Sequence, residues 1–228
     1  MARRSNTTPY EVIRVATRMF MERGYTKTSI KAIGEALNMS TGHVMFYFPS
    51  KEHMLAVLVR ELCNFQWELM RKQTEEGTTA VMAICLELMT MAAACEESEV
   101  AKDFFISTYT HPMTLEIIRK SDEERAKVVF AEYCPDWTDE QFREAETLVS
   151  GIEYASLMTT ADSAPLETRI LGALRHILTI YQVPEEILNI KLEKVKAMDY
   201  RSNGRHILKE FIHYIEHTNE KALEELLK

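Results

Sequence analysis

Helix breakers are scarce in this chain. Seven glycines and six prolines are spread over 228 residues, and no stretch sustains the apolar–polar alternation of a half-buried strand. What remains is an all-α fold whose helices are delimited by caps. The first opens on Thr8-Pro9-Tyr10-Glu11: a cap, a proline at the first helical position and a glutamate at the reciprocal capping-box position. Val12, Ile13, Ala16 and Phe20 form its apolar stripe, and Gly24 ends it. A shorter helix follows from Thr28, with Ile30, Ile33 and Leu37 inward. Asn38, which tolerates the left-handed conformation, makes the turn to a third helix capped by Ser40. Pro49 stops that helix, and Ser50 can cap a fourth running toward Trp67 and Met70. Beyond Gly77 the spacing predicts longer helices over roughly 78–96, 98–110, 113–134, 138–160, 165–182, 184–199 and 204–227. Thr138 and Gln141 form a second capping-box pattern.

Charge divides the chain. Residues 1–60 hold nine Lys/Arg against four Glu, and the remainder holds 18 basic against 31 acidic residues. A head of net +5 therefore sits on a body of net −13, an asymmetry that suits a head for an anionic partner. No apolar run approaches the ~20 residues of a membrane span, and the basic N-terminus precedes no apolar segment, so the reading is a cytoplasmic protein. Cys63, Cys85, Cys95 and Cys134 lack metal-finger spacing and read as reduced, buried apolar residues.

The stretch STGHVMFYFPSKEHML, residues 40–55, carries the functional signal. Two short helices joined by a tight turn and braced by a first describe a helix-turn-helix, whose second helix enters the major groove of DNA. With Val44 and Phe48 inward, Thr41, Gly42, His43, Phe46 and Tyr47 are left to face outward or sideways. Thr41 and His43 can hydrogen-bond base edges or phosphates, and Gly42 permits close approach. Phe46 can pack on a thymine methyl or a sugar. Tyr47 offers its phenol, and Lys51 its charge, to phosphate. Arg3 and Arg4 could form an arm on the DNA backbone.

Residues 8–58 resemble the TetR-like transcriptional regulators, through Phe20, Gly24, Tyr25, Thr28, Ser29, Ile30, Ile33, Leu37, Ser40, Gly42, Phe48, Lys51 and Leu55 at the family's spacing. The resemblance implies phosphate contacts from Thr28 or Ser29, Tyr47 and Lys51, and base contacts from Thr41, Gly42 and His43. Asn38 replaces the family's usual turn glycine. Met45 stands where a DNA-contacting tyrosine is usual, so that contact is either lost or passed to Phe46 and Tyr47. The domain reading is a helix-turn-helix domain over 1–52 and a helical ligand-binding and dimerisation domain over 53–228. No linker separates them, so the fourth helix joins head to body rigidly.

For the body the resemblance implies a helical bundle with an effector pocket and a dimer interface. The predicted helix over 165–182 spreads Leu166, Ile170, Leu171, Leu174, Ile177, Leu178 and Tyr181 over more than one face, which suggests contact with its own core and with a partner. The helix over 138–160 adds Val149, Ile152, Ala155, Ser156 and Thr159, with Gly151 permitting close approach. These two helices are the expected homodimer interface. Trp67, Met70, Met82, Met89, Phe104, Tyr109, His111, Tyr154 and Met158 are candidate walls of a pocket for a small, partly hydrophobic effector. No cofactor is expected. His206, His213 and His217 can share one helix face, but HYIEH lacks the order of a zinc-protease motif, and the face reads as solvated. No nucleophile–base pair or phosphate-cradling glycine loop argues for an enzyme. The expected function is a ligand-released, homodimeric repressor on a palindromic operator in double-stranded DNA. The alternative is a non-catalytic helical module that binds protein.

Overall fold

The computed structural model describes residues 8–217. Among the described residues there are eleven helices and no strand, in agreement with the all-α reading. They are α1 Pro9–Arg23, α2 Ile30–Ala36, α3 Thr41–Tyr47, α4 Lys51–Glu75, α5 Ala80–Glu97, α6 Glu99–Thr110, α7 Pro112–Val129, α8 Asp139–Leu157, α9 Leu166–Ile180, α10 Glu185–Ala197 and α11 Tyr200–His217. Arg3, Arg4 and the end of the helix predicted over 204–227 lie outside the described residues.

Local signals set most boundaries. Both capping boxes form: the Thr8 hydroxyl accepts from the Glu11 amide and Glu11 returns the bond, and Thr138 and Gln141 do the same. Gly24, at φ +92°, ends α1 by donating its N–H to the Phe20 carbonyl. The helix predicted over 113–134 ends at Val129, and three further differences from the sequence reading have a visible cause. Helix α2 begins at Ile30 with Ser29 as cap, because the Thr28 hydroxyl is buried and donates to the Gly24 carbonyl at 2.8 Å. Ser50 occupies the cap position of α4 but makes no capping bond; its hydroxyl pairs with the His53 ring at 2.9 Å. Helix α11 starts at Tyr200, so Gly204 lies within it rather than before it.

Helix α5 organises the body. Thirteen of its residues are buried, from Val81 round to Cys95, and a helix apolar on all sides must be enclosed on all sides. Helices α4, α6, α8, α9, α10 and α11 pack around it. Helix α4 runs unbroken from the head into this bundle and packs along α7. All four cysteines are free and buried, and burial pushes the thiols of Cys63, Cys85 and Cys95 up to about 12. No helix among the described residues is long and apolar enough to cross a membrane.

The glycine in α11 is a packing residue. A Cβ built on Gly204 would stand 2.6 Å from the Thr90 carbonyl oxygen of α5, and backbone cannot yield as a flexible side chain can. Gly204→Ala is expected to destabilise the protein by about 1–3 kcal/mol, measured by denaturant unfolding.

Candidate nucleic-acid interface

Helix α3 is anchored from beneath. Val44 and Phe48 are buried in the head core with Ile13, Phe20 and Ile33. That leaves Thr41, Gly42, His43, Met45 and Phe46 exposed and Tyr47 half-buried, as the sequence predicts. The Ser40 hydroxyl accepts from the His43 amide at 3.2 Å and caps the helix. Asn38 makes the preceding turn at φ 54°. Gly34, which the sequence reading did not single out, allows the two helices to meet: its carbonyl accepts the Met39 N–H at 2.8 Å, and an added Cβ would lie 2.8 Å from the Met39 oxygen. A glycine four residues before the turn asparagine is the signal that could have found it.

The outward surface of α3 is part polar and part aromatic. Nothing lies within 4 Å of the Cβ position of Gly42, so its side of the first turn is open. The His43 and Tyr47 rings stack at 5.6 Å, and Phe46 meets Tyr47 edge-on at 5.5 Å. Phe46 is 79% exposed. A phenyl ring so placed on a short helix beside a threonine and a histidine can lie against an apolar groove surface.

The structure assigns other contacts to two of the expected phosphate ligands. Thr28 is buried, its hydroxyl shared between the carbonyls of Gly24 and Met19. Lys51 donates from Nζ to the Tyr25 carbonyl at 2.8 Å and the Thr28 carbonyl at 3.0 Å, and its ammonium lies 4.0 Å from the Tyr25 ring centroid. It is a staple that holds the α1–α2 connection to α4. Burial pulls its ammonium below the usual lysine value, against the raising influence of Glu52 and Asp103. Ser29 is exposed, and its hydroxyl accepts from the Ala32 amide at 3.1 Å.

The same connection is gripped from the body. Asp103 of α6 accepts the Thr26 N–H at 2.8 Å and also the Thr26 hydroxyl. Gly24 leaves room for it, since an added Cβ would stand 2.6 Å from the Asp103 carboxylate. His111, at the end of α6, meets the Tyr25 ring edge-on at 5.5 Å. His111 is thus a head–body contact rather than a pocket wall.

The remaining pocket candidates scatter. Met70, Met82, Met89 and Phe104 are buried in the packed core, Trp67 is half-buried, and Met158 is 43% exposed beyond the end of α8. Only Tyr109 and Tyr154 are brought together as rings, 6.5 Å apart. An apolar cavity lies elsewhere, between α4, α5 and α11 among Leu62, Phe65, Thr90, Phe105, Gly204 and Phe211. At about 40 Å³ it has room for little more than water. Of the expected interface residues, Val149, Ser156, Ile170, Leu174, Ile177 and Tyr181 are buried within their own subunit, while Ile152 and Thr159 are half-buried and Ala155 is exposed. The outward face of α8 carries Leu148, 55% exposed, with Gly151 and Ala155. The outward face of α9 carries Gly172, Arg175 and His176.

Residues 12–58 match the family described as bacterial regulatory proteins, tetR family. The HTH-type transcriptional regulator HbdR of Aromatoleum sp. (strain CIB) is 25% identical over 111 residues, which are 49% of this chain and 47% of that protein. The match spans about half the length of that curated relative. Among solved structures, Thermus thermophilus FadR, a TetR family transcriptional repressor in complex with lauroyl-CoA, has a TM-score of 0.57 at 18% identity, covering 78% of this chain and 97% of that one. The TetR regulator tylp of Streptomyces fradiae has a TM-score of 0.48 at 18% identity, covering 88% and 95% of the two chains. The Thermus likeness is one of fold.

Replacing Lys51 by Met removes the ammonium from the Thr28 carbonyl and leaves the Tyr25 carbonyl with the Thr28 N–H alone, and is expected to destabilise the protein by about 1–3 kcal/mol. A staple, unlike a phosphate ligand, leaves the salt dependence of any DNA complex nearly unchanged below the melting transition, which calorimetry and a salt titration measure together.

Proposed function

We propose, since residues 12–58 match the family of bacterial regulatory proteins described as tetR, that this chain is a sequence-specific DNA-binding regulator of transcription and not an enzyme. It acts as a homodimeric repressor on a palindromic operator and is released by a small effector. The observation that carries the reading is the exposed first turn of α3, with Thr41, Gly42 and His43 outward over buried Val44 and Phe48. Thr41 and His43 read base edges, Phe46 packs on sugar or a thymine methyl, and Ser29 and Tyr47 take phosphate. Domain 1–52 is the reading head and 53–228 the effector and dimerisation body, with α4 common to both. The HbdR likeness supports the regulator reading, and the lauroyl-CoA held by the Thermus protein supports a ligand in a body of this fold.

Selection from random duplex DNA by the purified protein tests the head. A two-half-site palindrome is expected, and Thr41→Ala with His43→Ala is expected to weaken it by about 1–3 kcal/mol per lost base contact and to relax the sequence preference. A protein-binding module would enrich no sequence at all.

The dimer face supported by burial is the outward side of α8 and α9. Gly151 and Gly172 have nothing within 4 Å of their Cβ positions, and an exposed helical glycine costs about 1 kcal/mol relative to alanine. A second pair of helices packed closely on them offsets that cost. Leu148→Arg places a charge in the contact and is expected to shift the protein from dimer to monomer at micromolar concentration, with its helical content retained; light scattering reads the mass. An unchanged mass would move the interface elsewhere.

A further inference from the structure

The interior of the body holds more carboxyl groups than cations to pair with them. Arg125 of α7 is 5% exposed, and its guanidinium donates to Glu87 of α5 at 2.7 and 2.9 Å and to Asp122 at 2.9 Å. Gln66 of α4 donates a further bond to Glu87 at 2.8 Å. Those two carboxylates are thereby satisfied. Two more on α8 are not. Glu146 and Glu153 make no ion pair among the described residues, and each receives one tyrosine hydroxyl, from Tyr181 and from Tyr109 at 3.1 Å respectively. They stand seven residues apart, two turns along one face of the helix.

Glu146 supplies the second observation. The residue is 3% exposed, yet its Oε2 has no hydrogen-bond partner. A buried carboxylate oxygen left bare costs on the order of 1–3 kcal/mol or more, so a native structure retains one where something else completes it. Its electrostatic neighbours are Asp122, Arg125 and Glu123, and Glu153 in turn feels Asp122, Glu146 and Glu87. Glu87, Asp122, Arg125, Glu146 and Glu153 thus act on one another between α5, α7 and α8, while Glu123 pairs with Lys127 at 2.7 Å. Burial pushes Glu146 up to about 8 and Glu153 well above the usual carboxylate range. The region is not sealed, since the side chains of Glu87 and Asp122 keep 20% and 15% of their surface and Glu153, Tyr109 and Tyr154 are half-buried.

We propose that this interior site, bounded by α5, α6, α7 and α8, binds an organic cation: an effector with an ammonium or comparable group that completes Glu146 and Glu153 against the rings of Tyr109 and Tyr154. The proposal rests on the reading of the body as an effector domain. Among the described residues no three metal-ligating side chains converge, so an organic cation fits where a metal ion does not. Aromatic faces beside carboxylates attract a cation that a phosphate or carboxylate ligand would find hostile. Burial raises the affinity of both carboxyls for protons, so a cation bound to them displaces protons.

The test uses the full-length protein with benzylamine and tetraphenylphosphonium as cationic probes, and benzyl alcohol and benzoate as neutral and anionic controls. Titration calorimetry in two buffers of different ionisation enthalpy reads affinity and proton release. At least one cation is expected to bind with proton release. Glu146→Gln and Glu153→Gln, near-isosteric and checked for fold by circular dichroism, are expected to weaken binding by about tenfold or more each. Tyr109→Leu is expected to weaken it without abolishing the proton release. Failure of both cations to bind, binding of benzyl alcohol as tight as that of benzylamine, or Gln variants that bind like the parent would each overturn the proposal. DNA selection run alongside separates the two readings. An enriched palindrome with no cation bound rejects the cation site alone. A cation bound through Glu146 with no DNA enriched keeps the site and rejects the regulator.

Discussion

Enclosure of α5 is the constraint on which the rest of the body depends. A helix with thirteen buried residues gains about 1.5–3 kcal/mol for each large side chain withdrawn from water, but only if other helices cover every side. Six do so, and their order around α5 dictates where their own second faces point. Helices α8 and α9 turn Val149, Ile170, Leu174 and Ile177 inward to meet this demand, which leaves Leu148, Gly151 and Gly172 for whatever lies outside. The single carboxylate that α5 carries into the bundle, Glu87, must find a cation there, and Arg125 of α7 is it. Breaking such a buried pair from one side is costly, so the register of α7 against α5 is tightly specified.

A second constraint joins the two ends of the molecule. The α1–α2 connection is held by Lys51 from α4 and by Asp103 from α6. Tyr109, whose hydroxyl donates to Glu153, lies on the same helix as Asp103, six residues on. Anything that alters the surroundings of Tyr109 therefore acts on a helix already bonded to the head. The route through α4 anticipated from continuity of the chain thus has a companion in α6, made of two hydrogen bonds and an aromatic edge contact.

What was legible in the sequence was local. The capping boxes at Thr8 and Thr138, the left-handed Asn38 and the inward pair Val44 and Phe48 each follow from residues within a turn or two of one another. The exposed first turn of α3 follows from them in turn. Where the reading and the structure part, the deciding partner is distant in sequence. Gly204 looked like a helix boundary because only Thr90, more than a hundred residues earlier, explains it as a close approach. Lys51 looked free for phosphate because the carbonyls it serves, those of Tyr25 and Thr28, lie more than twenty residues earlier; Thr28 is the exception, its hydroxyl taken by the Gly24 carbonyl only four residues away. The pocket candidates were chosen by residue type, and type alone does not separate a methionine in a packed core from one on a wall. The lack of a cation beside Glu146 and Glu153 is likewise invisible until α7 and α8 are placed side by side.

Helix α4 is 25 residues long and unbroken, with its first turns in the head and its last in the bundle. At 1.5 Å per residue it is a lever of about 37 Å, and a tilt of about 5° at its inner end carries the outer end through about 3 Å. Hydrogen bonds to base edges tolerate displacements of only about half an ångström. A rod of this length turns a rotation too small to disturb core packing into a displacement at its outer end several times that tolerance, so in a protein switched through this helix the mechanical gain would be set by its length rather than by any large rearrangement of the bundle.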